Sequence, residues 1–485
     1  MAASRPAPSH RVLWTFAISS IALFMAALDN LVVTTALPVI RASFNANLAE
    51  LEWIVNAYTL TFAVLLMTGA ALGDRFGRKR LFIIGLAIFT GGSAIAALSS
   101  NVSVLIVARA IQGLGGAILT PLSLTILSAA VPRERRAVAL GAWGGIAGLA
   151  IAIGPLVGGA ISEGLAWQWI FWLNVPIGLV AIPLAYARLS ETHGPSTRLD
   201  LPGVGFVSGG LLAVVWGLVR ANEQGWTSPE ILVSFGVGIV LLIAFVVWEA
   251  RSAEPMLPVR LFRSRTFTAT NVVSMLMTFG MFGSIFLLAQ FFQVVQGYSP
   301  LEAGIRTLPW TAMPVVVAPI AGLLSSRTGT RPLLVTGMAL QAVALGWLSL
   351  VSTPTVDYIA LAPAFVLAGT GMGLFFAPIA NIVLSAVRPE EEGKASGASN
   401  AIREMGGVFG IAVLAAVFSA NGSYDSGAGY VDGLVPAMQV GALVVALGTV
   451  AALALPGRRR ADLPVDAIDA EEVPPQRGRE VATTS

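Results

Sequence analysis

Fourteen apolar runs, each about 20 residues long, dominate this chain; they fall at 12–36, 53–72, 81–99, 102–127, 138–162, 168–187, 200–220, 231–249, 268–292, 304–324, 332–351, 358–384, 399–419 and 434–455. A run of that length crosses the roughly 30 Å hydrocarbon layer of a bilayer as a helix. In hydrocarbon every backbone N–H and C=O must be satisfied within its own span, so the expected class is an all-α membrane protein. The turn Asn222–Trp226 leaves a re-entrant pair open as the alternative for 200–220 and 231–249.

The connections test this count. With the N-terminus (Arg5, Arg11) in the cytoplasm, every second connection should be basic. These connections hold Arg75/Arg78/Lys79/Arg80, Arg133/Arg135/Arg136, Arg188/Arg198, Arg251/Arg260/Arg263/Arg265, Arg327/Arg331, Arg388/Lys394 and Arg458/Arg459/Arg460. The alternate ones hold only Arg41, Arg220 and Arg306. The alternation demands an even number of spans with both termini cytoplasmic, and the plasma membrane is the expected location. The first run is too long for a signal-peptide core and is read as an uncleaved span.

Only 11% of the 485 residues are charged, against about 25% in a soluble protein. The arginines lie singly or in small groups and build no face for nucleic acid. There is no cysteine, and the two histidines, His10 and His193, sit in polar connecting segments. A thiolate metal site is excluded, and a nucleophile–base pair has little to be built from; neither an enzyme nor a cofactor is expected. Gly113-Leu114-Gly115-Gly116 lies inside a span with no preceding strand, so it is not a nucleotide loop.

A weak internal repeat organises the chain. Gly322–Pro332 is a worn copy of the loop Gly73-Asp74-Arg75-Phe76-Gly77-Arg78-Lys79-Arg80, each joining two spans. Two related halves suggest a symmetric transporter with its site at their interface. The expected division is a cytoplasmic tail 1–11, a six-helix bundle 12–190, an inserted helix pair 200–250, a second bundle 268–456 and a tail 457–485 of disordered composition.

Asp29 is the sharpest single residue, a charge inside the first run. Its counterpart is Arg109 in the fourth. At 1.5 Å per residue they lie about 13 Å and about 10 Å in from the outer ends of their spans, at similar depth. Both are expected to face a central cavity and interact there, with Gln112 one turn from Arg109 extending a polar track. Burial disfavours the carboxylate and a nearby arginine favours it, which suits Asp29 to taking and releasing a proton. The fifth span holds Gly141/Gly145, Gly144/Gly148 and Gly154/Gly158 four residues apart, together with Pro155 and Gly159. Such spacing permits close helix approach and the proline permits a bend. Glu163, Glu249 and Asp357 lie near span ends and are read as solvated. Arg403 and Glu404 are placed in the first turn of the thirteenth span.

Together these residues resemble the major facilitator superfamily, and within it the fourteen-span drug:proton antiporter branch. Gly73–Lys79 is similar to the loop motif between spans two and three, although Ala70 stands where glycine is usual. Leu105 through Arg109 to Gln112-Gly113 is similar to the span-four motif. Gly154-Pro155-Leu156-Val157-Gly158-Gly159 is similar to the antiporter motif of span five. Leu28-Asp29 through Pro38, Trp167–Gly178, Gln296–Pro300 and Gly371–Gly373 also fit that branch. The resemblance implies the major facilitator fold: two six-helix bundles related by a pseudo-two-fold axis, plus two inserted helices. It implies a single-chain transporter that rocks between two open states and exports amphipathic small molecules in exchange for protons. A facilitator or proton symporter for a metabolite is the alternative. It gives Arg109 a part in proton coupling, and makes Gly73, Asp74, Arg75, Gly77 and Arg78 a conformational gate that would lock the outward-facing state by contacting Gly393–Gly407.

Overall fold

A computed structural model describes residues 10–194, 199–252, 255–388 and 391–455. Nearly all of both tails lies outside the described residues. Fourteen helices among the described residues are long and apolar enough to cross a membrane. The first half contains α1 (His10–Phe44), α2 (Leu48–Phe76), α3 (Arg78–Ala97), α4 (Val102–Ala130) and α5 (Arg133–Gly164). Its sixth span is broken at Leu173 into α6 (Trp169–Trp172) and α7 (Asn174–Arg188). Next come α8 (Leu201–Gln224) and α9 (Pro229–Arg251), and then α10 (Arg265–Gln290), α11 (Pro300–Thr328), α12 (Thr330–Val351), α13 (Tyr358–Ser385), α14 (Glu392–Asn421) and α15 (Gly427–Leu453).

Local chemistry explains the boundaries. Asn47, Asn101, Asp200, Ser228, Ser264, Ser299 and Ser426 each accept a first-turn N–H as N-caps. The eight-residue basic loop collapses to one residue. α2 runs through Asp74 and Arg75 to Phe76, α3 starts at Arg78, and Gly77 turns the chain at φ 105°. The repeat copy behaves alike: Gly329, at φ 83°, is all that separates α11 from α12. Such φ values favour glycine. α14 begins at Glu392, so Arg403 and Glu404 sit three turns in, paired at 3.2 Å.

Packing repeats between the halves. In the first, α1 packs on α5, α2 and α3 on α4, and α3 on α7. In the second, α10 packs on α14, α11 and α12 on α13, and α12 on α15. Two seams join them, α5 with α11 and α2 with α14, and each is the repeat of the other. At 24 and 23 residues, α8 and α9 both span fully, which removes the re-entrant alternative. α8 wedges Leu211, Val215 and Val219 against Leu60, Ala63 and Val64 of α2 and Val408 and Ala412 of α14. α9 packs on α8 and leaves Leu232, Val233, Val240 and Ile243 exposed, as a lipid-facing helix does.

The face carrying Arg78–Arg80 is called here the basic face, and its opposite the far face. At the far face the halves are fastened: Gln293 Nε2 donates to the Thr35 carbonyl at 2.8 Å, and the Arg41 guanidinium lies 3.8 Å from the Tyr424 ring centroid. Toward the basic face α5 and α11 part. A Cβ added at Gly141, Gly144, Gly145 or Gly148 would meet nothing within 4 Å, and Val315 and Val316 are exposed.

Candidate functional site

Asp29, Arg109 and Gln112 come together, but not at the cavity. Arg109 is fully buried; its Nη1 is paired with Asp29 Oδ2 and donates to Gln112 Oε1 at 3.0 Å, while its Nε donates to the Ile54 carbonyl at 3.1 Å. Gln112 Nε2 donates to Asp29 Oδ1 at 3.1 Å and to Ser93 Oγ at 2.8 Å. Asn174, just past the break at Leu173, donates to Asp29 Oδ1 at 3.0 Å. Tyr58 faces the guanidinium at 4.4 Å and anchors its hydroxyl on the Ala26 carbonyl. All these partners belong to the first half. The reason lies in helix phase. The cavity-facing residue Leu31 is two positions from Asp29, about 200° around α1, so Asp29 points into the bundle. Burying a carboxylate needs a counter-charge and satisfied lone pairs; Arg109, Gln112 and Asn174 supply both. Arg109 Nη2 is buried without a partner.

The cavity lies between the halves. It is lined by Leu31, Thr35 and Pro155 of the first half and by residues of α10, α11 and α13, including Trp310 and Phe365. Among the described residues no charged one lines it. The hydroxyls of Thr35, Thr307 and Thr311 are spent on the carbonyls of Leu31, Gly304 and Ala152.

The glycine motif of α5 builds its wall. A Cβ on Gly154 would meet Leu31 at 2.7 Å, and one on Gly158 the Val32 carbonyl at 2.8 Å. Gly159 packs on Pro300, and Gly304 of α11 on Pro155. Gly154, Pro155, Gly158 and Gly159 therefore join α1, α5 and α11, whereas the earlier pairs 141/145 and 144/148 make no close approach here. Just beyond them Glu163 is no merely solvated end residue: its carboxylate accepts from Ser299 Oγ at 2.5 Å and Leu301 N at 3.1 Å, capping α11 across the seam.

The basic loop has partners of its own in this conformation. Asp74 Oδ1 pairs with Arg78 Nε at 2.8 Å, and its backbone carbonyl accepts from Gly194. The Glu191 carboxylate accepts from Lys79 N and Arg80 N at 2.9 and 3.2 Å, and the Thr192 carbonyl from Arg78 N. Arg75 lies 5.2 Å over the Phe76 ring, and a Cβ on Gly73 would press on the Leu122 side chain. In this conformation, with the basic face open, the gate motif is clasped by the segment after α7. Met67, two turns before Asp74, is what reaches Gly397.

Two acids escaped or misled the sequence reading. Glu249 is buried and accepts the Leu257 N–H at 3.1 Å, holding the linker after α9. Glu52, at the start of α2, is 3% exposed and has no hydrogen bond or ion pair among the described residues.

The model of the Major Facilitator Superfamily matches residues 19–411. The tetracenomycin C resistance and export protein of Streptomyces glaucescens is 34% identical over 81% of this chain and 74% of its own length. A cephamycin export protein of Amycolatopsis lactamdurans is 38% identical over 83% of this chain and 84% of its own. Among solved structures, a POT family transporter in complex with a thioalcohol-conjugated peptide superposes with a TM-score of 0.67 at 14% identity, covering 89% of this chain and 94% of the other; that likeness concerns the fold.

Proposed function

The chain belongs to the major facilitator superfamily, and from that premise we propose that it exports amphipathic small molecules, antibiotics among them, across the plasma membrane in exchange for protons. The observation that carries this reading is the uncharged cavity between the halves, fastened at the far face while α5 and α11 part toward the basic face. An apolar chamber with few unspent polar groups accepts varied flat molecules and offers no counter-charge to a dication. The resistance and export names of the relatives support the same substrate class. The basic face is cytoplasmic by the arginine asymmetry, so this conformation loads from the cytoplasm. The chain works as a monomer.

Asp29 takes the proton. In the present state Asp29 Oδ2 is paired with Arg109; a proton on Oδ2 would break that pair and free the guanidinium, whose Nη2 already lacks a hydrogen-bond partner. Gln112 and Asn174 keep the carboxyl aimed through the exchange. The Asp74 loop gates the basic face, released from Glu191–Gly194 as that face closes, and Pro155 lets α5 flex as its contacts with α11 change. In everted membrane vesicles, an imposed proton gradient should drive uptake of a neutral aromatic antibiotic, and a protonophore should abolish it. Uptake indifferent to the gradient, or protons moving with the substrate, would contradict exchange.

A further inference from the structure

The least satisfied polar cluster in the described structure is outside the Asp29 site. Glu52 Oε2 and both amide atoms of Asn56 are buried with no hydrogen-bond partner. They are one turn apart on α2, in the row Glu52, Asn56, Thr59, Ala63. Ala63 in that row shares a buried cluster with Val408 and Ala412 of α14 and with Leu211 and Val215 of α8, so the row lies in the seam between the halves where α8 also enters. Glu52 is at its far-face end. The charged and titratable groups near it are few. Glu223 at the end of α8 is a like charge. Arg41 of α1 forms no ion pair with it and lies over the ring of Tyr424, whose hydroxyl is bonded to Gln290.

We propose that Glu52, with Asn56 beside it, is a second proton-binding site, loaded from the far face and occupied whenever that face is closed. An ionised carboxylate buried without a counter-charge is strongly disfavoured. Asp29 escapes that cost through Arg109; Glu52 has no such partner. The seam therefore closes over the neutral acid. When the seam parts, Glu52 meets far-face water, loses its proton to it and leaves a carboxylate that resists reclosure until a proton returns to it from that water. The sign follows: closure is favoured at low external pH and opposed as pH rises. The inference rests on alternating access, the reading given above, and adds to it a group that senses the far-face solution.

The chain has no native cysteine, so spin labels can be placed cleanly at Ser100→Cys and Thr353→Cys, exposed turns of the two halves on the far face. Their distance distribution, measured in lipid nanodiscs without substrate, reports closure. From about pH 5 to about pH 9 the closed-to-open ratio of the otherwise wild-type chain falls, by up to about tenfold per pH unit where Glu52 titrates. In Glu52→Gln the ratio shifts toward closed and its pH response shrinks to the part that Asp29 carries, while Glu52→Asp keeps the larger response. A doubly labelled chain with no pH response, or a Glu52→Gln chain with the full response, overturns the proposal. Gradient-driven uptake, measured separately on vesicles, tests exchange itself; its failure alongside an intact pH-dependent distance would remove the antiport reading and leave the Glu52 site standing.

Discussion

A charge inside an apolar run announces itself, and so Asp29, Arg109 and Gln112 were legible from sequence. Their surroundings were not. Asn174 and Ser93 are neutral, common residues, and nothing in their spacing marks them as donor and acceptor to the same cluster. The direction in which Asp29 points was misjudged because depth along a helix says nothing about phase around it. Replacing Arg109 with lysine should be severe, since one ammonium cannot serve the Ile54 carbonyl, Asp29 and Gln112 from Arg109's fork of nitrogens. The expected loss is about 3 kcal/mol, read as a lowered thermal midpoint of the purified protein; an unchanged midpoint would show that the cluster is loosely held. Glu52→Met should do the reverse. It removes an unpartnered buried acid and should raise the midpoint, by the equivalent of about 1–2 kcal/mol; a lower midpoint would mean that Glu52 has a stabilising partner.

Helix contacts decide how much of a motif is used at once. All three glycine pairs of α5 have the spacing for close packing, but only the stretch Gly154–Gly159 meets neighbours, because α5 and α11 have parted below it. Spacing declares capacity for contact, while the conformation sets its use. Gly159→Leu should drive a side chain into Pro300 and block far-face closure, which electron-spin distances across that face would show as a loss of the closed population; a closed population equal to wild type would place the seam elsewhere. The clasp on α3 was invisible in sequence because Glu191 is more than 100 residues from the amides it caps. Glu191→Ala should weaken that helix start by about 1 kcal/mol, seen as faster hydrogen exchange at the Lys79 and Arg80 amides. Unaltered exchange would deny the clasp.

At the scale of the whole molecule, the number of spans and their class were plain from the apolar runs, and the alternation of arginine connections guarded the count. The pseudo-symmetry showed only as the worn loop copy at Gly322–Pro332; the structure extends it to the packing, where the α5–α11 and α2–α14 seams repeat each other. What sequence could not provide is where the two halves touch in one conformation, since that depends on contacts between residues far apart along the chain. The central claim is that Asp29 ties a proton to each exported molecule. Its most direct test is the substrate-driven proton flux of the purified protein in proteoliposomes, wild type against Asp29→Asn. The account predicts that a pulse of substrate moves protons in the opposite direction through the wild type. In Asp29→Asn it predicts substrate exchange with no accompanying proton movement and no uphill transport. An Asp29→Asn protein that still couples substrate to protons as the wild type does would contradict it.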